Sequence, residues 1–301
     1  MRTIERKNEL RYILLIFLAI CFLATGGIFV KMSTLPPINT AFYRVLFSIP
    51  FLLPFSAKQA RKLTRKQGII IIIAGIFLAL DLILWNISFK YTTVANANLF
   101  ANLTPFTVIP ISYFIFKEKI NKQFLLGAVI TLLGVVVLLS GKISPNFVYT
   151  MKGDGLALLT SIFYSGFLLT VYKLRERINT NVIMLVSTIG SLAVLSIAMY
   201  FTEGFHFPKT LNELLPLVGL ALISQIFGQG LLSYCLGNVN ATISSIITLT
   251  QPVVAAVYSF FIFSEHLTLN EIIGIFITLT GVYYAKKIPK KRNGALEYDE
   301  N

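Results

Sequence analysis

Apolar residues run in ten long segments along the chain, and short clusters of charged residues separate them. Each segment has roughly the 17–25 residues that an α-helix needs to cross the hydrocarbon core of a bilayer. The links are short, so no soluble domain is inserted between the segments. The pattern therefore predicts ten transmembrane helices, over residues 11–31, 38–56, 68–89, 92–116, 123–141, 154–174, 181–201, 213–236, 240–263 and 269–286.

The composition also favours a membrane protein. Of 301 residues, 55% are hydrophobic and 13% are charged, and the mean hydropathy is +0.76. The charged share is about half that of an ordinary soluble domain. The first apolar segment continues without a small-x-small cleavage site, which predicts a retained helix and not a signal peptide. Cys21 and Cys235 both fall in predicted helices and form neither a disulfide framework nor a metal set.

The basic residues indicate how the chain is oriented. With the N-terminus in the cytoplasm, 20 of the 26 Lys and Arg residues lie on the cytoplasmic side, five lie on the other side, and Arg44 lies within a helix. This split follows the positive-inside rule. The net charge of +13 thus reports topology and does not indicate a nucleic-acid partner. We expect a multi-pass protein of a bacterial inner membrane with both termini cytoplasmic. Its expected partners are the bilayer and a small-molecule substrate, and the sequence is compatible with a monomer.

The chain contains an internal repeat with a shift of 147 residues. Residues 105–135 and 252–282 are identical at 12 of 31 positions without a gap, and the matches include Pro, Glu and Gly. Five helices per half is an odd number, so the second half should enter the membrane from the opposite face, as in inverted-repeat transporters. The predicted divisions are a tail at 1–10, a first repeat at 11–141, a linker at 142–153, a second repeat at 154–286 and a tail at 287–301.

Three stretches resemble the modules of the drug/metabolite transporter superfamily, EamA type. They read WNISFKYTTVANANLFANLTPF (85–106), FIFKEKI (114–120) and GAVITLLGVVVL (127–138), and residues 252–282 repeat parts of them. The resemblance covers essentially residues 10–287. It implies a fold in which helices 1–4 and 6–9 surround a central cavity and helices 5 and 10 lie at the periphery. Proteins that it resembles move amino acids, other metabolites or toxic compounds, many as exporters.

Two prolines, Pro105 and Pro252, occupy equivalent positions in the fourth and ninth predicted helices. Neither can donate to the carbonyl one turn earlier, so each helix should be kinked or loosened there. Their recurrence favours a hinge or cavity lining over a static packing kink. Asn98 and Asn102 share a helical face with Pro105, while Asn96 points elsewhere. We expect the first two amides to line a cavity. The alternative is interhelical hydrogen bonding.

The third and second predicted helices carry the candidate charges. Asp81 is an acid well inside a helix, and such a carboxyl suggests a proton relay or the counter-ion of a substrate amine. Trp85 lies on the same face and could stack on a substrate or serve as an interface anchor. Arg44 could bind a substrate carboxylate or snorkel to the surface, with Tyr43 beside it as a weaker candidate. In the family that the chain resembles, arginine is familiar at about this place.

Further candidates are polar residues spread over four predicted helices, and helix-to-helix hydrogen bonding is their alternative role. They are Thr25 on helix 1, Tyr164 on helix 6, Gln225 and Gln229 on helix 8, and Thr248 and Gln251 on helix 9.

Other polar residues favour a structural role. Glu118 and Glu265 repeat at equivalent helix ends, which is typical of a fold device that accepts backbone N–H groups. His206 and His266 lie in loops without further ligand spacing, so we expect no metal site and no cofactor. The sequence contains no Walker A, GxSxG or HExxH motif and therefore does not favour an ATP-driven pump or an enzyme.

These observations predict a secondary transporter of a small organic metabolite that works by alternating access. An amino acid or related zwitterion suits one acid, one arginine and several amides, and Asp81 is the candidate for proton coupling. Efflux of hydrophobic or cationic toxic compounds is the alternative within transport. A channel or a membrane-embedded enzyme are the alternatives of another class. Single-channel recording would identify a channel, and product analysis in proteoliposomes would identify an enzyme.

Overall fold

The computed structural model describes residues 2–92, 94–117, 120, 122–140, 147–263, 268–285, 290–292 and 295–297. Glu118, Glu265, His266 and the side chain of Asn96, for which the sequence suggested roles, lie outside the described residues.

The described residues are almost entirely helical. The α-helices are α1 (Arg2–Met32), α2 (Pro37–Leu46), α3 (Ile49–Ala60), α4 (Arg65–Ser88), α5 (Val94–Ala101), α6 (Pro105–Ile115), α7 (Lys122–Ser140), α8 (Phe147–Leu174), α9 (Thr180–Thr202), α10 (Leu211–Gly219), α11 (Leu231–Cys235), α12 (Ala241–Thr248), α13 (Gln251–Phe263) and α14 (Leu269–Ala285). A π-helical segment, Leu220–Gly230, joins α10 to α11. Strands β1 (Lys290–Arg292) and β2 (Ala295–Glu297) form a short antiparallel hairpin after the last helix.

Six described helices are long and apolar enough to cross a membrane, and a seventh crossing results if α2 and α3 are counted as one bent span. The bend between α2 and α3 is 48°. Three further apolar helices are shorter, over Thr104–Ile115, Lys122–Leu138 and Leu269–Ala285. Apart from its terminal hairpin, the described part of the chain is therefore helical, and it contains several membrane-spanning segments.

Four of the predicted helices change geometry along their length, and a proline lies at or near each change. Pro105 begins α6, and Pro252 is the second residue of α13, so both breaks lie where the sequence predicts loosened helices. Pro50 is the second residue of α3 and cannot donate to the carbonyl one turn earlier, which explains the break after α2. Pro216 lies within α10, just before the π-helical segment. The helix predicted over 213–236 corresponds to one span, Leu211–Cys235, whose middle part is π-helical.

The core joins helices of both halves of the chain. Helix α4 packs against α8 and α9, while α1 packs against the π-helical segment, α11 and α13. Fully buried side chains at these contacts include Ile20, Leu78, Phe167 and Ile183. Helices α7 and α14 pack mainly against each other, and their outward side chains are exposed, as expected for helices that face lipid.

Helices α7 and α14 touch backbone to backbone through four glycines. A Cβ atom at any of these glycines would collide with the main chain of the other helix. Residue numbers rise along one helix as they fall along the other, so the two helices are antiparallel. The 147-residue shift of the sequence repeat exchanges the contacts in pairs. The contacts are Gly127 with Ala285, Gly134 with Thr278, Gly274 with Leu138 and Gly281 with Thr131.

Replacing Gly134 or Gly281 by alanine is expected to lower stability by about 1–3 kcal/mol, because the added methyl group overpacks the contact. The measurement is thermal unfolding of the purified protein in detergent. Gly68→Ala is the matched control, since nothing lies within 4 Å of a Cβ placed there and alanine favours helix. Equal melting temperatures for Gly134→Ala and Gly68→Ala would contradict the packing described here.

Candidate functional site

A polar network lies between the two halves of the bundle, and its centre is Arg44 on α2. Arg44 is 5% exposed, and its Nε donates to Oε1 of Gln225 at 2.9 Å. This bond fixes the orientation of the Gln225 amide, because arginine can only donate. The Nε2 group of that amide is buried and has no hydrogen-bond partner among the described residues. Among the described residues, the terminal guanidinium nitrogens of Arg44 donate no further hydrogen bond.

Asp81 on α4 belongs to the same network. Its carboxylate interacts electrostatically with the Arg44 guanidinium and the Tyr164 phenol. The residue is 8% exposed, and within the described part of the chain no group donates a hydrogen bond to the carboxylate or forms an ion pair with it. A carboxylate without donors in so apolar a setting is costly, and intramembrane carboxylates usually mark a functional position.

Tyr164 and Gln229 extend the network toward α8. The Tyr164 hydroxyl bonds Oε1 of Gln229 at 3.0 Å, and its ring stacks on Phe167. Gln229 is buried, and its Nε2 has no partner among the described residues. Gln225 and Gln229 both lie on the π-helical segment, so this segment presents two unpaired amide donors to one region.

Two glycines let α1 approach the network closely. A Cβ at Gly26 would lie 2.9 Å from Oγ of Ser224 and 3.8 Å from Cη2 of Trp85. A Cβ at Gly27 would lie 3.7 Å from Nδ2 of Asn98. Trp85 and Ser224 therefore lie beside Gly26 and Asn98 lies beside Gly27, and Oγ of Ser224 is a further buried group without a partner among the described residues.

Three other candidates donate hydrogen bonds to backbone carbonyls three or four residues earlier in the chain. Asn102 donates to the carbonyl of Asn98 at 2.7 Å, Thr25 donates to the carbonyl of Phe22, and Thr248 donates to the carbonyl of Ser244.

Among the described residues, the last two candidates take no part in the hydrogen bonds of this network. The Tyr43 ring packs against Phe42 and Phe47, at 5.3 Å between ring centroids in each case. Gln251 is partly buried at the start of α13, beside the break.

Backbone carbonyls at the break before Pro105 accept hydrogen bonds from side chains, and one of these side chains belongs to the other half of the chain. The Thr104 hydroxyl donates to the carbonyl of Ala101 at 3.1 Å, and Ser165 on α8 donates to the carbonyl of Thr104 at 3.3 Å. Backbone carbonyls that a proline frees inside a membrane must find such donors. Side-chain hydrogen bonds therefore help to hold the chain at this break.

The EamA-like transporter family model matches this sequence twice, over residues 10–140 and 151–285. The chain belongs to the EamA-like transporter family. It is 25% identical over 288 residues to an uncharacterized transporter of Archaeoglobus fulgidus, covering 90% of this chain and 95% of that protein. It is 24% identical over 216 residues to the pseudopaline exporter CntI of Pseudomonas aeruginosa, covering 71% and 73%. A solved crystal structure shares the fold, with a TM-score of 0.75 and 18% identity over 92% of this chain and 97% of that one.

Sequence reasoning missed two parts of this EamA-like transporter's site. Ser224 was not a candidate, because a lone serine in an apolar helix gives no signal. The π-helical geometry of Leu220–Gly230 was also missed, although Pro216 and the glycines around the segment were visible. Segments of π-helix are rare and occur frequently at functional sites.

The N-terminus of α2, the helix that carries Arg44, is held by Glu203 at the end of α9. The Glu203 carboxylate accepts from the backbone N–H groups of Ile38 at 2.9 Å and Asn39 at 3.2 Å, and from Nδ2 of Asn39. Lys90 Nζ lies 4.0 Å from the same carboxylate. The Asn39 side chain also accepts from the backbone N–H of His206, which fixes the loop that contains this histidine.

Glu203→Ala is expected to destabilise the protein by about 0.5–2 kcal/mol, because two backbone donors of the first turn of α2 lose their acceptor. Thermal unfolding in detergent measures the effect. Glu176→Ala is the control, since its exposed ion pair with Lys173 should contribute less than about 1 kcal/mol. An unfolding temperature no lower for Glu203→Ala than for Glu176→Ala would refute the capping role.

Arg175 joins α8 to α1 and α11 at the end of the bundle where α8 ends. It donates to the carbonyl of Ile178 at 2.8 Å and lies over the Tyr234 ring, 5.6 Å from its centroid. The Tyr234 ring is 6.2 Å from that of Tyr12, and Gly237 leaves room for the guanidinium. Burial lowers the pKa of Arg175 from its usual range, and the nearby tyrosine opposes that effect. These contacts connect helices that belong to the two halves of the chain.

Proposed function

We propose that this protein is a secondary transporter of a small zwitterionic metabolite, an amino acid or a compound related to it. The observation that carries the proposal is that one network contains two opposite charges and that neither has a full set of hydrogen-bond partners among the described residues. Arg44 keeps guanidinium donors that bond no described residue, and the Asp81 carboxylate accepts from none. A substrate carboxylate complements the first group, and a substrate ammonium complements the second.

The unpaired amides support the same substrate class. Nε2 of Gln225 and Nε2 of Gln229 are donors without acceptors among the described residues. Leaving such groups unpaired costs about 1–3 kcal/mol each. A substrate with carboxylate or carbonyl oxygens would accept from them, and Trp85 near Gly26 provides an aromatic face for its apolar part.

Alternating access is proposed from the relation between the halves. The family model matches each half separately, and the equivalent helices α7 and α14 run antiparallel. This is what ten crossings arranged as two inverted five-helix repeats require. Pro105 and Pro252 provide breaks at equivalent positions where each half could bend. The basic residues favour cytoplasmic termini in a bacterial inner membrane.

Proton coupling is proposed at Asp81, because it is a buried carboxyl group that interacts electrostatically with Arg44. Gaining or losing one proton would change how Asp81 competes with the substrate for Arg44. The alternative substrate class is hydrophobic or cationic compounds exported for detoxification. It uses Asp81 alone and leaves Arg44 a structural role.

The test is a transport screen with the purified protein in proteoliposomes. Radiolabelled amino acids and nucleoside-like metabolites are offered with and without a pH gradient, and with unlabelled substrate inside the vesicles. We expect exchange of at least one zwitterion above that of empty liposomes. If no small metabolite moves under any gradient, the proposal fails. Discrete single-channel currents would instead identify a channel.

A further inference from the structure

An apolar cavity lies outside the polar network and shares none of its residues. Its volume is about 250 Å³, and it lies between α1, α7, α12 and α14. Its walls are apolar except for the hydroxyls of Thr250 and Tyr283, and the Thr250 hydroxyl donates to the carbonyl of Ile247. The walls include Ile13, Phe17, Phe124, Ile247, Thr250 and Val282.

The cavity opens toward the lipid-facing surface of the bundle. Leu14 and Tyr283, which also line it, are 61% and 74% exposed. An apolar cavity does not hold ordered water, and an empty one forfeits the dispersion contacts of its lining. No charged side chain or amide lines it, and its polar groups are the hydroxyls of Thr250 and Tyr283, so the charged and amide groups that would recognise a polar metabolite are missing from its described walls.

Exposed cations stand close to the cavity on two of its walls. Arg11 precedes Ile13 and Phe17 by two and six residues, which is about 3–9 Å along a helix that rises 1.5 Å per residue. Lys122 precedes Phe124 by two residues at the start of α7. Both cations are exposed. Both cations lie toward the starts of α1 and α7, so positive charge adjoins the apolar cavity on these two helices.

We propose that this cavity binds one acyl chain of an anionic phospholipid, whose headgroup is held by Arg11 and Lys122. The chain fills the apolar volume between α1 and α14, and the two cations select a negative headgroup over a neutral one. The proposal does not depend on the transported substrate.

Native mass spectrometry of the delipidated, purified full chain tests the proposal by titration with dioleoylphosphatidylglycerol, dioleoylphosphatidylcholine or oleate. We expect one tightly retained phosphatidylglycerol. The Arg11→Gln/Lys122→Gln variant should lose about fivefold of the phosphatidylglycerol preference for each cation removed. Unchanged preference in that variant, or oleate binding as tightly as phosphatidylglycerol, would overturn the assignment of an anionic phospholipid.

Cavity-filling variants test the place of binding. Val282→Trp and Ile13→Trp fill the cavity from opposite walls, so one remains informative if the other fails to fold. Each should reduce retained phosphatidylglycerol at least tenfold. Leu133→Trp is the control, because this α7 residue is 55% exposed and does not line the cavity. Retention by both filled variants equal to that of Leu133→Trp would refute the site.

Discussion

Asp81→Asn is expected to abolish both substrate exchange and transport driven by a pH gradient. Asparagine keeps the shape of the side chain and removes the negative charge that a substrate ammonium would meet. Truncating one member of a buried charge pair costs about 2–5 kcal/mol, so substrate affinity should fall about 30-fold or more. Equilibrium exchange and gradient-driven uptake in proteoliposomes, measured side by side, give the result.

The two measurements separate the roles of Asp81. If the carboxylate only carries a proton, exchange with substrate on both sides persists while gradient-driven uptake is lost. If it binds the substrate amine, both are lost. Asp154→Asn is the matched control, because this acid accepts from the Thr92 hydroxyl at 2.6 Å near the end of α4, away from the network. Wild-type exchange and wild-type gradient-driven uptake by Asp81→Asn would remove the residue from the site altogether.

The parts of the fold that were predictable are those that nearby residues in the sequence determine directly. Segment length and the distribution of Lys and Arg located the helices, and the missing N–H of Pro105 and Pro252 located two breaks. The break after α2 carried the same signal in Pro50, which was overlooked. The π-helical segment was not predictable, because the spacing of apolar residues over eleven positions does not distinguish i→i+4 from i→i+5 hydrogen bonding.

The site was predictable as a set of residue types and not as a set of contacts. A carboxyl, an arginine or a glutamine inside an apolar helix is conspicuous in the sequence. The partner of each is not, since Arg44 and Gln225 are 181 residues apart and meet only when the halves pack. Asn98 and Asn102 show the opposite situation, because their partnership is between neighbours in the sequence. Asn102 lies one turn after Asn98, and this proximity lets it bond its own helix, which reduces what it can offer a substrate.

Arg44→Ala distinguishes the two substrate classes. For a zwitterion, loss of the guanidinium should reduce exchange to the level of empty liposomes, because the substrate carboxylate loses its bidentate partner. For a hydrophobic cation, the same variant should transport nearly as well as the wild type, since Asp81 remains. The measurement is exchange of a radiolabelled amino acid and of its decarboxylated amine in parallel. If the amine moves in Arg44→Ala while the amino acid does not, the arginine binds the carboxylate.

A structural effect of Arg44→Ala must be separated from a loss of binding. Removing the arginine leaves Oε1 of buried Gln225 without its donor, which by itself costs about 1–3 kcal/mol. In the double variant Arg44→Met/Gln225→Leu, the orphaned glutamine amide is gone and the volume is nearly kept, so thermal stability should return part of the way to that of the wild type, with the buried Asp81 carboxyl still lacking the charge of Arg44. Amino-acid exchange should stay absent. If exchange returns together with stability, Arg44 supports the helix packing and the substrate carboxylate binds elsewhere.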